Sequence, residues 1–142
     1  MLDMQHILSN SWHEILRFDG GDDVVAGVLE FAEKQKIESG WVYAIGSSKE
    51  VELGFYDLDK KEYLKKVFSE PLELLNAEGN LASMNDKRIL HWHGVFGRAD
   101  YSTIGGHIHN MTANATVEVF IHKLNEHIKR EHDVDTGLNL LS

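Results

Sequence analysis

From Trp41 onward the apolar residues recur mainly at every second position, in WVYAIGSSKEVELGFYDLD, EYLKKVFSEPLELLNAEGNLA, RILHWHGVFG, GGHIHNMTA and TVEVFIHKL. Successive side chains of an extended chain point to opposite faces, so this alternation demands half-buried strands and a sheet with one apolar face. The first segment reads as two strands around Ser47 to Glu50, the second as two more broken at Pro71, and the remaining three as further strands. Upstream, His13 to Phe18 forms a short strand that turns at Gly20 and Gly21. A helix then follows, with Asp22 as N-cap, Asp23 and Glu30 suiting its early turns, an apolar stripe of Val25, Val28, Leu29 and Ala32, and Lys34 and Lys36 at its end before Gly40. Gly27 weakens that helix by about 1 kcal/mol relative to alanine. A chain that is mostly sheet with one main helix is α+β.

At 142 residues the chain closes one hydrophobic core, and no solenoid-length repeat, low-complexity tract or linker divides it. A single domain over 1–142 is expected. Fourteen Lys and Arg against 23 Asp and Glu give a net charge of -9, which opposes nucleic-acid binding driven by phosphate neutralisation. The N-terminal MLDMQHILSNSWHEILRF has no basic region followed by an apolar run, and no membrane-length apolar stretch occurs, so a cytoplasmic protein is expected. Without cysteine, any metal site must use His, Asp, Glu or backbone donors.

Four of the nine histidines lie in LHWHGVFGRADYSTIGGHIHN, as two His-x-His pairs. On a strand His91 and His93 share one face while Leu90, Trp92 and Phe96 cover the other, and His107 and His109 repeat the arrangement. If the two strands are neighbours, the imidazoles converge. Convergent imidazoles suit zinc or another divalent transition metal, three protein ligands plus water being typical of a reactive site. His91, His93 and His107 are the favoured ligands, because two glycines allow tight backbone approach and make His107 the first side chain projecting after the bend. His109 is left as a fourth ligand, a hydrogen-bonding neighbour of the ligands or an acid/base group. The competing reading is four histidines on the solvated face of a sheet. His6, His13, His122, His127 and His132 have no partner at ligand spacing and are read as structural or surface residues.

As an ordered set, SGWVYAIGSSKEVELGFYD, KEY, EPLELL, GN, LHWH, GGHIH, VEVFI and DVDTGLNLL resemble the stand-alone prokaryotic members of the PPC domain family, named for plants and prokaryotes conserved. The family also supplies a domain of the plant AT-hook nuclear proteins. The match runs roughly from Glu14 to Leu141. The resemblance implies a mixed, strongly curved β-sheet with a flanking helix, similar to the acetolactate decarboxylase fold, assembled as a homotrimer. It also implies a divalent metal ion, zinc or a similar one, on His91, His93 and His107. The chain departs from the family at His109 and Met111, where a leucine and a nearby glycine are common, and it has no AT-hook, its only proline being Pro71.

Three functions follow as expectations. The first is a trimeric metal-binding protein. The second is a metal-dependent small-molecule enzyme, a lyase or hydrolase, with Glu118 as acid or base and Arg98 as a bidentate anchor for a carboxylate. The third, a DNA-binding or transcription-associated role, draws on the family name and conflicts with the charge.

Overall fold

The structure is a computed structural model that describes residues 4–142. The described residues form β1 (Gln5–Ser9), β2 (His13–Asp19), α1 (Val24–Lys34), β3 (Gly40–Asp57), β4 (Glu62–Phe68), β5 (Leu72–Met84), β6 (Lys87–Gly97), β7 (Thr103–Lys123), β8 (Arg130–His132) and β9 (Asn139–Leu141). Seven strands make one sheet in the order β1-β2-β7-β6-β5-β3-β4, and β7 pairs with β3 as well, so the sheet curls until its own members meet. Strands β8 and β9 form a separate hairpin. Among the described residues every strand pairing is antiparallel, and the parallel component of the expected mixed sheet is a single isolated bridge, Ser83 to Lys129. No helix among the described residues is long and apolar enough to cross a membrane.

Two expected breaks are absent. The polar run at Ser47 to Glu50 does not end a strand: β3 continues through it for 18 residues, with register shifts at Gly46/Ser48 and Ser48/Glu50 against β7. Bulges of this kind absorb an extra residue and sharpen the local bend. Gly46 serves the bend with φ of 147°, and a Cβ there would stand 2.2 Å from the Thr116 carbonyl oxygen. Likewise GGHIHNMTA and TVEVFIHKL form one 21-residue strand, β7.

The helix begins one residue later than expected. Asp23, not Asp22, is its N-cap, accepting the Ala26 N–H at 3.0 Å, while the Asp22 carboxylate closes the preceding turn on the Asp19 N–H at 2.8 Å. Its buried face is accordingly Val24, Gly27, Val28, Phe31 and Ala32, and Val25 and Leu29 are only partly buried. Gly27 lies where a Cβ would come within 2.2 Å of the ring of Phe18, which is fully buried. Gly27→Ala should therefore destabilise the protein by about 1–2 kcal/mol in urea unfolding, overpacking outweighing the gain in helix propensity. A stabilised variant would contradict this.

The core lies inside the curl. Leu90, Trp92 and Phe96 of β6 meet Ile108, Met111, Val117, Val119 and Ile121 of β7 and the buried face of α1. By alternation, the odd-numbered residues of β6 face outward, and that outer face carries the histidines.

Candidate metal centre

The pairing of β6 with β7 sets His93 directly opposite His107. His91, two residues along β6, shares the outer face. The glycines before His107 lie inside β7 rather than at a bend. They permit close approach on both edges: a Cβ on Gly105 would be 2.8 Å from the Gly94 carbonyl oxygen, and one on Gly106 would be 2.8 Å from that of Gly54.

His91, His93 and His107 each offer a ring nitrogen, and the three atoms lie within 4.8 Å of one another. The His91 and His93 Nε2 atoms are 3.3 Å apart. Two nitrogens bound to one ion at about 2.0–2.1 Å in tetrahedral geometry are separated by about 3.3 Å, so this pair already has the required bite. Ring centroids are 5.1 Å apart for His91/His93, 5.3 Å for His91/His107 and 5.6 Å for His93/His107. The donor set is nitrogen-only and suits zinc and its neighbours rather than calcium or magnesium.

Around the three rings lie groups that hold them. The Tyr63 hydroxyl is 3.4 Å from His107 Nδ1, and the Arg130 Nη2 group donates to Asn80 Oδ1 at 2.8 Å and lies 3.2 Å from His91 Nδ1, to which it donates in the metal-free tautomer that leaves this nitrogen unprotonated. Burial disfavours the charged forms of His107 and His91: it is the main cause pushing His107 down to about 3, with His109, His91, His93 and Lys65 adding repulsion. His91 is lowered by burial, then by Arg130 and His93. Neutral rings are the form that binds a metal.

His109 stands apart from the triad. Its ring packs edge-on against Tyr63, with centroids 4.7 Å apart, and lies 4.5 Å from the His107 ring. Its Nε2 is buried without a hydrogen-bond partner and sits over Gly54, where a Cβ would be only 2.4 Å away. It is not in the group of converging donor atoms.

Two expected pocket residues are elsewhere. Glu118 is exposed, opposite Arg17 of β2 and Ile45 of β3, eleven residues along β7 from His107. Arg98 is held by Glu70 at 3.0 Å and stacks over Phe68 at 5.5 Å, beyond the far end of β6. The groups that do approach the cluster are Tyr63, Asn80, Arg130 and Glu78, the last directly opposite His93 on β5 and accepting the Trp41 Nε1–H at 3.2 Å. Asn80 and Tyr63 fall within the blocks already noted as GN and KEY; Arg130 carried no local signal and is brought in by tertiary folding. The histidines outside the cluster have other partners: His6 with Glu14 at 2.7 Å, His13 with His122 at 3.0 Å, His127 with Glu38, and His132 with Asn139 at 3.2 Å.

The depressed His107 has a measurable consequence. The unfolded chain takes up a proton near 6.5 that the folded chain refuses until about 3. Stability in EDTA-containing buffer is thus unaffected by this group above 6.5 and falls as pH drops through the window down to about 3. Urea midpoints should fall less steeply with acidification in His107→Asn than in the wild type; parallel curves would contradict this.

Comparison with known proteins adds kinship. The Plants and Prokaryotes Conserved (PCC) domain matches residues 12–125. A metal-containing protein from Archaeoglobus fulgidus is 34% identical, with a TM-score of 0.87 over 100% of this chain and 99% of that one. A candidate DNA-binding protein from Bacteroides thetaiotaomicron is 30% identical, with a TM-score of 0.94 over 98% of this chain and 96% of that one. The fold extends to alpha-acetolactate decarboxylase from Bacillus subtilis, 15% identical with a TM-score of 0.57 over 86% of this chain and 57% of that one. Among curated proteins none matches the chain.

Proposed function

The chain belongs to the Plants and Prokaryotes Conserved domain family, and on that premise we propose that it is a divalent-metal-binding protein in which His91, His93 and His107 hold one ion, zinc before others. The observation that carries this reading is the convergence of three imidazole nitrogens within 4.8 Å. The metal-containing relative from Archaeoglobus fulgidus supports it. The ion would supply a Lewis-acidic centre with a position left to water or a ligand.

The same reading includes a homotrimer. Trp41, Tyr43 and Ile45 of β3 and Phe120 of β7 are exposed on adjacent strands, Tyr43 lying opposite Phe120. A contiguous aromatic and aliphatic patch of this kind favours association over solvation. It also keeps the cytoplasmic setting expected from the sequence.

Elemental analysis of untagged protein, with light scattering on the same sample, tests both parts. One ion per chain and a mass of three 16.1 kDa chains are expected. Sub-stoichiometric metal overturns the metal reading, and a monomer overturns the trimer.

The second reading, a metal-dependent lyase or hydrolase, is favoured by Glu78, which stands across from His93 and lines a cavity beside the cluster with Asn80 and Trp41. DNA binding, suggested by the Bacteroides relative, runs against the net charge of -9.

A further inference from the structure

The chain has four arginines, and three of them pair with acids: Arg17 with Asp19, Arg88 with Glu33 and Glu38, Arg98 with Glu70. Arg130 does not. It is the most buried of the four, 8% exposed, yet its hydrogen-bond partners are all neutral: the Asn139 carbonyl at 2.8 Å, Asn80 Oδ1 at 2.8 Å and His91 Nδ1 at 3.2 Å. Its Nε–H has no acceptor. A buried guanidinium without a counter-charge is costly, the more so in a chain with acids to spare.

Arg130 also lines a cavity of about 240 Å³ together with His91, His107, Tyr63, Leu138 and Leu140. A divalent ion on the three histidines would set a second cation against this uncompensated one across a single imidazole. Such a pair repels unless an anion lies between them. The cavity's apolar walls strengthen that anion's attraction by excluding water.

We propose that this cavity is the binding site of a small oxyanion, a carboxylate or phosphate group that takes the metal's open position and pairs with the Arg130 guanidinium. The proposal rests on the metal reading above and adds the chemical class of the ligand. Asn139 and the hairpin β8–β9 hold the guanidinium in place, so the anion site is built partly by the C-terminal segment.

The test is a titration of the cobalt-substituted protein with acetate and, separately, inorganic phosphate, at constant ionic strength set with chloride, followed by the visible cobalt spectrum. Wild type should give a saturable change, and the stronger of the two arms identifies the preferred oxyanion. With each protein saturated with cobalt, Arg130→Gln should weaken that binding by about tenfold or more, with Arg130→Lys intermediate. A cobalt-loaded wild type that responds to neither anion overturns the oxyanion site and leaves the metal reading intact, as does equal affinity in any variant that folds. A wild type that takes no cobalt overturns the metal reading instead. Thermal shifts with phosphate then decide on Arg130 alone: a rise beyond the chloride control, lost in the variants, supports the site, and no such rise in the wild type sinks it.

Discussion

His107→Ala is expected to lose metal affinity by more than the roughly 10–100-fold typical of removing a ligand's hydrogen-bonding neighbour, because it removes a donor itself. His91 and His93 come from one strand, and His107 alone brings in a second strand opposite them. Without it the ion keeps only two imidazoles, both from one strand. His109→Ala supplies the contrast. Its Nε2 is turned onto Gly54, so its loss should change affinity by less than about tenfold, acting through the packing of Tyr63 and His107. Competition against a chromophoric chelator reads both variants. Equal losses in the two would mean that His109 is a ligand and that the triad is wrongly drawn.

Gly79→Ala should be among the most damaging single-methyl changes in the chain. A Cβ there would stand 1.9 Å from the His91 carbonyl oxygen and 2.5 Å from both Cα and Cβ of Trp92. Two of these three contacts are backbone atoms, and Trp92 is 1% exposed, so no side-chain rotation relieves the clash. Strands β5 and β6 would have to separate where Gly79 faces Trp92 and Asn80 faces His91. A loss of about 3 kcal/mol in chemical unfolding is expected, together with weakened metal binding because His91 moves with its backbone. A stability within about 0.5 kcal/mol of wild type, the range of ordinary surface changes, would show that the strands are not packed this closely.

The difference between what the residues announced and what the fold does has physical causes. RILHWHGVFG was legible because one face of β6 is core and the other is not, so Trp92 and the histidines sort by parity. GSSKE misled because a polar run is a local turn signal, whereas here the buried Ser48 hydroxyl lies 2.8 Å from the Glu50 carbonyl and 2.9 Å from that of Thr112, satisfying a bulge within a continuing strand. Arg98 was attractive for its nearness to His93 in sequence, but five residues of extended chain carry it roughly 16 Å away. Arg130 was invisible for the converse reason: it lies 39 positions from His91 and reaches it only through the hairpin beyond the curled sheet. Local periodicity reports faces; it does not report which distant segment covers them.

The long strand β7 has a consequence in time. It pairs with β2, β3 and β6, and its far end sets His122 against His13, 109 residues earlier. During synthesis the edges of β2 and β3 that β7 pairs with therefore wait, uncovered, until position 123 has emerged. Ordering so remote a pairing is slow, and the waiting edges are the kind that stick to one another. The nascent chain should thus lean on chaperones until its last long strand arrives, and a ribosome stalled before Lys123 should hold a protease-sensitive chain.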